Sequence, residues 1–417
     1  MLNNKIIFLI LLIQFIQNEY IKFLFKSEEI NSGNYIEKIL KTNITTELQI
    51  GSPIQKIPFY IRQNKSLSYI SGNKIENHKY DELKSKTYKQ MSEEKIYYNN
   101  YFSKAIISSE KFIFNSTNNK EIETNNLNFT LATNQTKNNK IESAVLGLQL
   151  EKYKYNYESD FIYQLKKNNI INNFAYTFKF NNENEGVLII GEYPHEYDKN
   201  YKKNEFLTSR FSHDKYIEYW SIDIDKMYIN EEIFENYKVD GLFEIEYGVF
   251  IGSSNYKRII NDIFFNNLLK DNSCSYLNFE NEKKYFYYVC KSSINIKKFP
   301  NLKFYNNEMK YFFEFDYKDL FIQKDDKYYF IIAFFENEMK EWIFGRPFFK
   351  KFPIIFDQEK KIIGIYNKVI NFSILILILL GIVIILLVLY ILKFALKKNK
   401  RVKANELLDD LDYSVEE

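Results

Sequence analysis

The sequence predicts an all-β-dominated body of two lobes, followed by an apolar helix near the C-terminus. Short segments rich in Ile, Tyr, Phe and Val alternate with Asn-, Lys- and Glu-rich turns over most of the 417 residues, and long helical patterns are scarce. Each half holds an apolar-apolar-Gly element, Val145-Leu146-Gly147 in the first and Ile343-Phe344-Gly345 in the second. Glycine at such a place lets one backbone approach another closely, so the echo points to two similar lobes. Ile374–Leu392 is uncharged and apolar throughout.

At the N-terminus, Lys5 precedes the apolar run Ile6–Ile16, broken only by Gln14. Its length fits a secretory signal within residues 1–19; with no small-residue cleavage site in view, an uncleaved anchor is the alternative. Ser27–Lys41 is short for an inhibitory pro-segment. The first lobe is expected over 30–205 and the second over 206–367. Within them Thr42–Gly51, Gly186–Gly191, Trp220–Ile229 and Lys327–Phe335 read as strands. Asp160–Lys167 and Tyr256–Leu269 read as helices. Asn115–Lys140 is rich in Asn and Lys and reads as surface loops around one strand, Leu127–Ala132.

As a helix, Ile374–Leu392 would extend about 30 Å, enough to cross a bilayer core. Lys393, Lys397, Lys398, Lys400, Arg401 and Lys403 follow it, which by the positive-inside rule puts the tail in the cytosol. The expectation is a single-pass type I membrane protein spanning at 369–393, with tail 394–417 and its ectodomain in the secretory lumen or outside the cell. Sequons beginning at Asn43, Asn64, Asn115, Asn128 and Asn134 suit that compartment, as does the single cysteine pair, Cys274 and Cys290. The pair forms either a disulfide, favoured by the luminal side, or two free core thiols.

Charge excludes other classes. The 57 basic and 54 acidic residues nearly cancel and are interleaved, so a stripe for nucleic acid is absent. His78, His195 and His213 have no ligand spacing, so neither a metal nor a cofactor is expected.

An ordered set of motifs runs from Thr42 to Tyr366. Ile50–Gln55 (IGSPIQ) leads into a strand ending near Ile70. Lys86-Thr87-Tyr88 precedes Ile96–Ala105 (IYYNNYFSKA). Ala144–Leu148 (AVLGL), Gly186–Glu192 (GVLIIGE), Tyr219–Asn230 (YWSIDIDKMYIN), Phe299–Phe304 (FPNLKF) and Trp342–Tyr366 (WIFGRPFFKKFPIIFDQEKKIIGIY) follow in turn. Together they resemble the pepsin-like aspartic proteases. That resemblance implies a bilobal pepsin-like fold, the Cys274–Cys290 disulfide of the second lobe, a flap near Tyr98, and a monomer that takes a peptide or protein ligand in the interlobe cleft.

The departures bear on chemistry. Family members place one aspartate on each lobe, and the two share a proton because like charges that close cannot both ionise. One accepts a proton from water while the other donates to the carbonyl oxygen. Here the first position aligns with Arg62, in Arg62-Gln63-Asn64, and the second with Glu246, in Glu246-Tyr247-Gly248. A guanidinium cannot act as a base. Gln63 and Tyr247 replace the hydroxyl residues that buttress the dyad. Asn99, Tyr101 and Ala105 replace flap glycines, and Tyr101 and Phe102 are placed to fill the cleft. The expectation is an inactive homologue that keeps a binding role, with Arg62 and Glu246 either paired between the lobes or turned to water. An active acid endopeptidase is the alternative, and a purely structural coat or adhesion role a third.

Overall fold

Period-two patterning becomes strand wherever one face is buried. In Ile21–Glu28, Ile21, Phe23 and Phe25 point into the core while Leu24 stays exposed. The computed structural model describes residues 20–28, 33–76, 78–96, 102–116, 121–136, 142–149, 160–210, 219–235, 238–280, 284–336, 341–367, 380–393 and 396. Residues up to Tyr366 make one unit; those from Asn367 onward make a second.

Among the described residues, the first unit holds sheets of 14, nine and four strands. Ile21–Glu28 pairs antiparallel with Glu185–Ile190 and with Asn43–Ile50, so the first lobe begins ahead of the expected boundary at residue 30. Its buried Ile and Phe positions make it core strand rather than leader. Phe206–Arg210 and Ile362–Tyr366 pair with each other at one end of the same 14-stranded sheet, so both halves of the chain contribute to it.

The expected strands and helices appear with shifted ends. Trp220–Ile229 divides into Ser221–Ile224 and Lys226–Ile229, and Lys327–Phe335 into Lys327–Phe330 and Ile332–Phe335. Phe161–Lys167 is helical behind an Asp160 cap, whose carboxylate accepts the Tyr163 N–H at 2.8 Å. The second expected helix runs Ser254–Ile260, Asn261–Phe265 and Asn266–Lys270, its middle turn π-helical.

One reading is corrected. The stretch taken as loops around Leu127–Ala132 lies largely in two 15-residue strands, Phe102–Ser116 and Glu121–Gln135, paired antiparallel. The strand expected at Leu127–Ala132, with Leu127, Phe129 and Leu131 buried, extends through its Asn-rich flanks, where the ladder to Phe102–Ser116 outweighs the weak local propensity of Asn.

The Cys274–Cys290 disulfide is present, joining directly opposed residues of the strands Cys274–Glu280 and Lys284–Lys291. In the second unit the apolar segment lies partly outside the described residues. Residues 380–393 are helical with Leu380, Ile384, Leu386 and Leu389 exposed. Among the described residues no helix is long and apolar enough to cross a membrane.

The disulfide closes a loop of 16 residues. Cys274→Ser/Cys290→Ser is expected to lower unfolding free energy by about 3 kcal/mol. Urea denaturation of the double mutant beside the oxidised and the reduced parent checks this; reduction and mutation should cost alike.

Candidate functional site

Two loops meet between the lobes, and each follows the same construction. The strand Gln55–Arg62 runs parallel to Ala144–Gly147, with Tyr60 opposite Val145, Ile61 opposite Leu146 and Arg62 opposite Gly147. In the second lobe Val239–Phe243 runs parallel to Trp342–Phe344, with Phe243 opposite Phe344. A Cβ on Gly147 would strike the carbonyl oxygens of Lys65 and Leu67; one on Gly345 would strike those of Tyr247 and Val249. The two glycines noticed in the sequence therefore press against the loops carrying Arg62 and Glu246.

Arg62 and Glu246 are both buried, 8% and 1% exposed, so neither turns to water. Arg62 Nη1 lies 3.7 Å from Glu246 Oε1. The stronger partner of Arg62 is one the sequence reading missed. Glu142 Oε1 accepts from Nε at 3.0 Å and also from Nη2, while Nη2 donates to Asn43 Oδ1 at 2.8 Å. Lys65 Nζ bonds the other Glu142 oxygen at 3.1 Å. The register of Arg62 on Gly147 carries Glu142, just before that strand, to the guanidinium; composition and motif alone gave no such signal.

These surroundings set the charges. Arg62 loses solvation by burial, yet Glu142 and Glu246 more than compensate and hold its pKa above the ordinary value. Glu142 is also desolvated, but its hydrogen bond to Arg62 and the charges of Arg62 and Lys65 keep its pKa below the usual carboxylate range. Glu246 goes the other way: burial outweighs Arg62, Lys41 and Lys65 and raises its pKa. Its Oε2 is buried without a hydrogen-bond partner.

Gln63, beside Arg62, is buried and ties the lobes. Its Oε1 accepts the Ile245 N–H at 3.2 Å, and its Nε2 donates to Tyr176 Oη at 3.5 Å. Tyr176 Oη donates onward to the Leu148 carbonyl at 3.1 Å, which also accepts Trp220 Nε1–H at 2.7 Å. Through these bonds the Gln63 amide links the two lobes. From below, the Thr42 N–H donates to the Glu246 carbonyl at 2.9 Å and the Gly248 N–H to the Ile39 carbonyl at 2.9 Å.

Residues 46–368 of the sequence match the family of eukaryotic aspartyl proteases. The chain belongs to the eukaryotic aspartyl protease family. Among solved structures it is similar to the Basic 7S globulin from soybean, at a TM-score of 0.60 and 11% identity, covering 84% of this chain and 95% of that one. No curated protein matches the sequence.

The two positions that motif order aligns with the family's dyad carry Arg62 and Glu246. Tyr98 and Tyr101 of the flap lie outside the described residues. Phe102 is fully buried against Tyr69, ring centroids 5.2 Å apart, in a cluster with Ile75, Ala105, Ala132 and Val145. It therefore belongs to a wall of the first lobe rather than filling the cleft. Of the sequons, Asn64 donates its Nδ2 to Glu244 Oε2 at 3.3 Å, and Asn43 holds Arg62. Asn128 is half-buried, Asn134 is exposed, and Asn115 sits in the strand Phe102–Ser116.

The opposite shifts of the two glutamates give opposite pH dependences. Glu142, lowered, contributes stability above its unfolded value of about 4.3, lost as pH falls through its folded value. Glu246, raised, lowers stability as pH climbs from about 4.3 to its folded value, because the folded state holds the extra proton there. Glu142→Gln is expected to cost about 2–3 kcal/mol at pH 7. Glu246→Gln should leave stability at pH 7 equal to or above the parent and flatten its decline with rising pH. Chemical denaturation from pH 3 to 8 checks both.

Proposed function

We propose that this aspartyl protease homologue is a catalytically inactive, membrane-anchored receptor whose interlobe cleft binds a peptide or a segment of a partner protein. The observation that carries the reading is the guanidinium of Arg62 between Glu142 and Glu246. Two carboxyl groups do converge at the base of the cleft, but on a permanent cation instead of a shared proton. Water placed there finds one carboxyl group with a free oxygen, Glu246, but no second acid free to share a proton with it, since Glu142 is held ionised and engaged by Arg62 and Lys65. The interlobe ties through Gln63 keep the cleft assembled without the dyad.

Anchoring is supported by the apolar Ile374–Leu392 segment, by the helical residues 380–393 with exposed apolar side chains, and by the basic residues after them. In this reading Asn134, exposed, carries a glycan more readily than Asn64, whose amide is engaged at the cleft. The ectodomain faces the secretory lumen or the cell exterior.

The full-length protein is expected to cleave no denatured-protein substrate between pH 3 and 6 and to bind no statine-type transition-state analogue. Arg62→Asp alone should also stay inactive, because Glu246 and the replaced triplet residues remain. Peptide cleavage by either form, inhibited by the analogue, would establish the active endopeptidase instead.

A further inference from the structure

At the base of the cleft lies a cavity of about 260 Å3 lined by Lys41, Arg62, Asn64, Lys65, Glu142 and Glu246. Its lining carries no apolar side chain, so it suits a polar group and not the apolar side chain of a bound peptide. Two features narrow the ligand. The lining offers three cations against two carboxyl groups, which favours an anion and disfavours an amine. Yet Glu246, only 1% exposed, leaves Oε2 buried and unpartnered, and a buried acceptor calls for a donor.

A simple anion answers the cations but brings no donor, and an amine does the reverse. The last residue of a peptide supplies both, an N–H and a carboxylate flanking a single Cα. Resting on the binding role proposed above, we propose that this cavity is a receptor for the free C-terminus of a peptide chain. The ammonium groups of Lys41 and Lys65 hold the terminal carboxylate, and Glu246 Oε2 accepts the N–H of the terminal residue. Lys65 keeps its bond to Glu142, so it is oriented before the ligand arrives. Lys41 is exposed, above the Tyr247 ring at 5.6 Å, and is free to swing to the carboxylate without breaking the core. An acidic side chain within a longer peptide also pairs a carboxylate with an N–H, but with extra methylenes between them, so it fits the two anchors less well.

Isothermal titration calorimetry on the full-length chain in detergent, at pH 7 and low salt, separates these sources. The probes are N-acetyl-trialanine as the free acid, the same peptide as its C-terminal carboxamide, N-acetyl-Ala-Glu-Ala carboxamide, and sodium acetate. The free acid is expected to bind about tenfold or more tighter than the other three, the scale of one charge-assisted hydrogen bond. Lys41→Glu and Lys65→Gln should each abolish that preference, and Lys41→Glu should do so with an unchanged thermal midpoint. The proposal is overturned if the carboxamide or the Glu peptide binds as tightly as the free acid, if no probe binds, or if the preference survives both substitutions. Hydrolysis of the probes would instead overturn the inactive reading, and the preference for the free acid would still be read from the initial heats.

Discussion

A guanidinium cannot shed its charge, so burying one obliges the fold to gather acceptors around it. Arg62 imposes that demand at the centre of this protein. Glu142 answers it from the approach to one parallel strand, Asn43 from the start of a neighbouring strand, and Glu246 from the other lobe. In the reading proposed above, this is the place where an active family member would have two acids contending for one proton. Here repulsion between like charges gives way to attraction between unlike ones, and the lobes meet over an ion cluster. The cluster also has a built-in order. Glu142 is the committed counterion, while Glu246 is the distant one, more desolvated than compensated.

The frame around the site depends on different atoms from the charges within it. The close approach of Gly147 and Gly345 to the two loops is a matter of backbone and missing Cβ, indifferent to which side chain occupies the dyad position. The link through Gln63 runs from Ile245 to Tyr176 and on to the Leu148 carbonyl, where Trp220 also arrives. Such a relay needs one acceptor and one donor at residue 63, and an amide meets that need as a hydroxyl does. Likeness to the Basic 7S globulin from soybean at 11% identity speaks of this same frame and not of its ligands.

What could be read in the sequence follows the same division. The paired tripeptides, the disulfide pair and the strands ending in apolar residues were legible, because close packing and two-fold alternation leave local marks. Arg62 and Glu246 could be matched to dyad positions by motif order. Glu142 could not, since only the parallel register of Arg62 on Gly147, a non-local fact, brings it near. Ile21–Glu28 was overlooked because its partners lie far along the chain, and the full length of Glu121–Gln135 because asparagine-rich flanks masked its ladder to Phe102–Ser116.

Under the inactive reading proposed above, Glu142 makes the identity of residue 62 more than a single-residue matter. Were an aspartate to stand at 62, it would join Glu142 and Glu246, giving three carboxyl groups near one another with Lys65 and Lys41 as the remaining cations. Like-charge repulsion and burial would then raise the affinity of the group for protons, and no single pair would be favoured to share one. The proton would be spread over a triangle whose geometry was shaped by a guanidinium. A working acid–base couple requires two groups whose environments push their proton affinities apart, and in this cleft the environment of each acid was written around Arg62.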